Sequence, residues 1–243
     1  MAIKKRPVSP RQKMINLMYV VLMAMLALNV STEVLNGFSI VEESIGRTAA
    51  NVSKENQVIY DDFEAQLKAN PAKVKEWFDK AQAVRRMSDS LFNLADELKI
   101  AIVKEADGED GDVKNIEAKD NLEAANQVML APGRGRGGEL YNAINSFRNR
   151  ILAMIDDSAQ KQIISSNLST SIPANAVTMG KNWQEYMFED MPVAGAVTLL
   201  TKLQSDVRYA EGEVLHKLVS NIDLKDIRVN SLNAFVIPNS QTI

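Results

Sequence analysis

The chain has no cysteine and a single histidine in 243 residues. The first absence excludes disulfides, a thiol nucleophile and thiolate metal sites. The second leaves a three-ligand zinc site dependent on carboxylates almost alone, which disfavours catalytic zinc. It is compatible with an oxidising compartment, where disulfides would otherwise form. A third absence is local. Residues 1–32 contain no Asp or Glu, yet they hold Lys4, Lys5, Arg6, Arg11 and Lys13, while all 31 acids fall in the rest of the chain. Such asymmetry means that the two parts face different surroundings. An acidic larger part also lacks the basic face that phosphate backbones require, so nucleic acid is excluded as a partner.

Residues 14–32 form an uncharged run in which only Asn16, Asn29, Ser31 and Thr32 are clearly polar. As a helix this run is about 28 Å long, close to the ~30 Å hydrocarbon core of a bilayer. Its apolar residues point in every direction, whereas a core helix of a soluble domain keeps a polar face. It also exceeds the 7–15 residues usual for a signal-peptide core, and it runs without a cleavage pattern into "EVLNGFSIVEESI". A permanent anchor over residues 14–35 is therefore expected. The basic flank, 1–13, belongs in the cytoplasm by the positive-inside rule, with Glu33 and everything after it across the membrane.

No proline occurs between Pro10 and Pro71, so nothing forces the anchor to stop at the membrane surface. A helical stripe continues through Leu35, Phe38, Val41, Ile45, Val52, Ile59, Phe63 and Leu67, with a bend expected near Gly37. Asn70 and Pro71 read as the N-cap and first turn of a second long helix, with apolar positions from Val74 to Ile102. A third block covers residues 139 to about 165. A fourth starts at "DMPVAGAV", with Asp190 as cap, and reaches Ile222. Short helices are expected near 114–130 and 181–189. Strand-like alternation is absent until "DIRVNSLNAFVIPNSQTI". The reading is an all-α architecture: one transmembrane helix, a periplasmic antiparallel helical bundle over 36–224, and a linker with the first strand of a truncated β-rich domain over 225–243.

Three motifs suggest chemistry and lack its context. "GRGRGG" matches the G-x-G-x-x-G fingerprint but has no strand before it and no βαβ unit, so it reads as a flexible basic loop. "DGEDGD" places neither the glycine nor the glutamate that an EF-hand loop needs, so it reads as a solvated turn. His216 has no nucleophile paired with it. No enzymatic chemistry, cofactor, metal or small-molecule substrate is expected. The unusual polar residues lie in the anchor instead: Arg11 at its entry, Asn16 inside, and Tyr19 two turns after Arg11. Snorkelling, interfacial placement and interhelical hydrogen bonding account for these residue types generically.

"SPRQKMINLMYVVLMAMLALNVSTEVLNGF", with "PRQKMINLMY", "AMLALN" and "EVLN" within it, closely resembles the N-terminus of the GldM/PorM proteins of gliding motility and type IX secretion. "MPVAGAVTLLTKLQSDVRYAEGEVL" is similar to that family's first periplasmic domain. The resemblance implies a single-pass inner-membrane homodimer whose anchors pass through a pentameric GldL/PorL-like partner and convert proton-motive force into movement. It further implies contact with outer periplasmic and outer-membrane secretion components through C-terminal domains that this sequence lacks. By motif, Arg11 corresponds to an arginine that pairs with a membrane carboxylate of the partner, with Tyr19 and Asn16 beside it. Because residues 1–32 lack acids, the proton-carrying carboxylate is expected on the partner. A membrane-anchored sensory or tethering module is the alternative reading.

Overall fold

The computed structural model describes residues 9–28 and 31–229, without the side chains of residues 24–28 and 223–229. Lys4, Lys5, Arg6 and the expected strand after Val229 lie outside the described residues. The described chain is helical, with no named strand among the described residues and only an isolated bridge between Asp112 and Asn115.

Helix α1 spans Pro10–Leu28 and α2 spans Thr32–Ala69. The break is marked by Ser31, whose extended backbone and side-chain oxygen, accepting from the Val34 N–H at 3.4 Å, cap α2. Gly37, where a bend is expected, sits inside α2. The uncharged part of α1, residues 14–28, is about 22 Å long, short of a bilayer core. Among the described residues no helix is long and apolar enough to cross a membrane, and the expected continuous span over 14–35 is not described as one helix.

Helix α3 (Pro71–Asp107) follows α2 after Asn70 alone, so the two form a tight hairpin. Pro71 occupies the first turn as expected, but the Asn70 side chain makes no capping bond. The third expected block is two helices, α5 (Gly137–Leu152) and α6 (Ser158–Asn167). Asp157 ends its continuity by accepting from the Ala159 and Gln160 N–H groups and starting a new helix. Before α5 lies α4 (Glu123–Leu130). After α6 come α7 (Ala174–Thr178), which the stripes do not announce, and α8 (Trp183–Phe188), which a reciprocal Asn182–Glu185 capping box secures. Helix α9 spans Val193–Val229. Asp190 is not its cap; that residue adopts a left-handed φ of 53° and donates its N–H to Asn126. At the other end α9 outruns the expected boundary at 224, since nothing between Gly212 and Pro238 interrupts a helix.

Helix α9 lies in the groove between α2 and α3, parallel to α2 and antiparallel to α3, because Thr198 meets Phe38 and Arg208 meets Asn56, while Lys99 meets Gln204 and Asp89 meets Arg208. Helix α5 packs on α3 in the reverse direction, with Arg136 at Glu97 and Arg150 at Met87. The bundle is therefore not a strict up-and-down arrangement: α2, α5 and α9 share one direction and α3 opposes them. One contiguous core runs through it, built on Phe63, Leu98, Ile102, Ile151, Leu200 and Leu215, each nearly or wholly excluded from solvent. Burying each such side chain contributes about 1.5–3 kcal/mol.

The "GRGRGG" segment joins α4 to α5 as a close-packed connection. A Cβ at Gly135 would stand 2.6 Å from the Met129 carbonyl oxygen, and one at Gly137 would stand 2.8 Å from the same atom. Gly133 meets nothing but has a φ of 73°, whereas a Cβ at Gly138 would make an ordinary 3.6 Å contact. Alanine substitutions are thus expected to rank Gly135 worst, by about 1–3 kcal/mol for displaced backbone. Gly133→Ala should cost about 1–2 kcal/mol for its left-handed φ, and Gly138→Ala should be neutral or stabilising within α5. Urea denaturation of the three variants checks the order.

Candidate functional site

The three sequence-selected residues of α1 share one side of that helix. At 100° per residue, Arg11, Tyr19 and Asn16 fall within an arc of about 140°, with Tyr19 in the middle. All three are exposed, as are Ile15, Leu17, Met18, Val21 and Leu22, which form a continuous apolar surface around Tyr19. Asn16 Oδ1 accepts from Gln12 Nε2 at 3.1 Å, a local bond that leaves its amide N–H groups available. Arg11 has no carboxylate on its own helix. Lys13 is exposed on α1, and Glu33 stands in the first turn of α2, where a negative charge favours the helix dipole.

A second constellation lies inside the bundle. Thr198, Thr201, Gln204, Arg208 and Glu211 recur at helical spacing on α9 and form a polar stripe buried between α2 and α3. Thr198 donates to the Ala194 carbonyl of its own helix at 2.7 Å, with the Phe38 carbonyl of α2 at 3.3 Å, and Thr201 donates to Glu42 Oε1 at 2.9 Å. Lys99 Nζ reaches Gln204 Oε1 at 2.6 Å, and Gln204 Nε2 donates to the Phe92 carbonyl at 3.1 Å. Glu211, only 1% exposed, accepts from Tyr60 Oη at 2.7 Å, from Asn56 Nδ2 at 3.3 Å and from Arg208 Nη1 at 2.8 Å. Asn56 Nδ2 also donates to the Arg208 carbonyl at 2.9 Å. Arg208 continues to Asp89 at 2.8 Å and lies over the Phe92 ring, 4.5 Å from its centroid.

The electrostatics of this stripe follow from burial. Burial, and then the neighbouring Glu211 carboxylate, push the Tyr60 phenol far above its usual range, so it remains a hydrogen-bond donor. Burial by itself pulls the Arg208 guanidinium down. Hydrogen bonds and charge from Glu211 and Asp89 outweigh that pull, and the net shift is upward. Tyr60 and Arg208 are thereby held in the forms that donate to Glu211, and the stripe is a set of structural bonds. Its sequence signal was present, as polar residues at 3/4 spacing beside the apolar positions Val197, Leu200, Leu203 and Val207. The apolar stripe alone drew attention because a polar face ordinarily means solvent.

Asp107, at the head of "DGEDGD", accepts from the Glu117 and Ala118 N–H groups at 2.9 and 2.8 Å, so this turn is partly a staple for the following loop. Among the described residues no group of His, Cys, Asp and Glu is arranged to hold a metal ion. His216 is exposed on α9.

Removing one partner from a buried charged network leaves the others uncompensated. Glu211→Ala is expected to cost about 3–5 kcal/mol on that basis, and Glu211→Gln less, since it retains an acceptor for Tyr60. Thermal or urea unfolding of the purified variants measures both, and a loss below about 1 kcal/mol for Glu211→Ala would remove the stabilising role assigned to this cluster. No curated protein matches the chain. Residues 33–221 match the GldM N-terminal domain, which takes in nearly all of α2, most of α9 and every helix between them. With most of its length inside that match, the chain belongs to the GldM family.

Proposed function

We propose that this chain is the inner-membrane subunit of a proton-motive-force-driven motor, which with a GldL/PorL-like partner transmits mechanical energy across the periplasm to power type IX secretion and gliding. The observation that carries this reading is the family match over residues 33–221, joined to an N-terminal segment free of acids. In this reading residues 14–35 form the single-pass anchor, with residues 1–13 in the cytoplasm and the bundle in the periplasm. The uncharged run over 14–32 and its basic flank support that orientation. The protein acts as a homodimer within a pentameric partner, and performs no enzymatic step.

The mechanism follows from the cost of a bare charge in a low-dielectric surrounding. An unpaired Arg11 guanidinium among apolar helices is unfavourable, and a partner carboxylate relieves much of that cost. Protonating the partner carboxylate cancels the attraction, and loss of the proton restores it. With two Arg11 residues facing five partner subunits, no orientation satisfies every site, so each protonation shifts the preferred orientation. Tyr19 and Asn16, on the same arc as Arg11, supply neutral hydrogen bonds that favour one face of α1 toward the partner.

A sensory or tethering module remains the contrasting reading, since it too uses an anchor and a helical bundle. Scrambling residues 14–28 at constant composition separates the two: a tether tolerates it and a motor helix does not. In cells relying on full-length protein, Arg11→Ala is expected to lower secretion at least about tenfold, because the lost pairing exceeds 1.4 kcal/mol. Tyr19→Phe should lower it less, and both variants should reach the membrane at normal levels. Wild-type secretion by Arg11→Ala would rule out the coupling role.

A further inference from the structure

We propose that the buried polar stripe of α9 is a register lock that makes α2 and α9 move as one rigid strut, carrying load from the anchor side of the bundle to its far end. The inference rests on the motor reading given above. Its structural basis is the parallel pairing of α2 and α9. Helix α2 begins three residues after α1 ends, and α9 is the helix that leads toward the C-terminal residues. Force applied along α2 therefore reaches α9 as shear along their common interface.

Apolar contact resists such shear weakly, because burial is non-directional and apolar ridges find new grooves after a slip. Hydrogen bonds resist it strongly, because their distance and angle limits are narrow. A one-turn slip of about 5.4 Å breaks every rung. The rungs between α2 and α9 occur at Glu42, Asn56 and Tyr60, so they are spread over about 27 Å of α2. Bonds from Gln204 to the Phe92 carbonyl and from Arg208 to Asp89 tie the same stripe to α3. Small residues bring the helices close enough for this. A Cβ on Gly212 would stand 2.8 Å from Asn56 Oδ1, and one on Gly46 would touch the Thr201 methyl at 3.7 Å.

Stability alone does not explain the arrangement. Buried ionic networks are commonly replaced by apolar residues of similar volume with no loss, and sometimes a gain, of stability. What an apolar interface gives up is a unique register, and register is what a load-bearing pair of helices needs.

Two variants of the full-length protein test this in cells lacking their own copy. The first replaces the α2-facing network by apolar residues: Asn56→Leu, Tyr60→Phe, Arg208→Met and Glu211→Leu. It is expected to retain helical content and a melting temperature at or above wild type, while secretion falls about tenfold. The second, Asn56→Cys with Gly212→Cys, places the chain's only thiols where a Cβ at 212 is 3.7 Å from Asn56 Cγ. Oxidised, it ties α2 to α9 covalently in place of the Asn56 bonds and is expected to secrete at least as well as the reduced form, which lacks those bonds. Full secretion by a folded apolar variant overturns the proposal. So does arrest of secretion on forming the cross-link, which would mean that α2 and α9 must slide, and this second arm stands even where the apolar variant fails to fold. Arg11→Ala run alongside separates the two levels. Its full activity removes the motor reading, whereas its loss together with full activity of the apolar variant removes only the lock.

Discussion

The Glu211 carboxylate is buried to within 1% of full exclusion, and it survives there because Asn56, Tyr60 and Arg208 direct four donor contacts into the space around it and the adjacent Arg208 carbonyl. An isolated carboxylate at that depth would be driven to protonate or to leave the core. The geometry of the bundle follows from meeting that demand. Asn56 and Tyr60 fix where α2 lies against α9, and the continuation from Arg208 to Asp89 fixes α3 against both. The apolar core supplies most of the driving force for assembly, but many registers bury similar apolar area. The observed register is the one that pairs the Glu211 carboxylate with Asn56 and Tyr60.

The remaining helices serve that three-helix frame. The excursion from α4 to α8 returns the chain to the end of the bundle where α3 finished, so that α9 starts beside the first turns of α2. Helix α5 covers the outer side of α3, while Trp183 packs edge-on to Phe188 beneath it, at 6.1 Å between centroids. The tight α4–α5 connection depends on glycines at 135 and 137, whose missing side chains admit the Met129 carbonyl. A motor reading places opposite requirements on the two ends of the protein. The α1 surface is exposed and acid-free, suited to exchanging partners, whereas α2 and α9 of the bundle are joined by buried side-chain bonds.

Local signals were legible wherever a single residue type decides the backbone. Pro71 starts α3, the break after Asp107 falls at Gly108 with its φ of 94°, and the long apolar stripes mark α2, α3 and α9. Signals that depend on competition were not. Asp157 reads as one more polar residue on a helix face, yet its carboxylate captures two N–H groups and divides the expected third block in two. Asp190 resembles a cap in its spacing but takes a left-handed conformation, and Asn126, which binds its N–H, lies 64 positions earlier. Ser31 marks the start of α2 where a continuous helix is expected, because its side chain accepts the otherwise free Val34 N–H.

By itself the sequence determined the helical class, the segregation of charge that isolates residues 1–32, the exclusion of thiol chemistry, and the Arg11, Asn16 and Tyr19 arc on α1. Those properties depend on composition and on intervals of a few residues, which the chain carries in its order. Only the tertiary structure decided that α9 runs parallel to α2, that Gly135 and Gly137 of "GRGRGG" are packing devices, and that Thr198, Thr201, Gln204, Arg208 and Glu211 face inward. The physical reason is that a polar side chain at helical spacing is equally consistent with water and with a buried partner. The partners here, Asn56, Tyr60, Asp89 and Lys99, each lie more than a hundred positions from the α9 residue they bind.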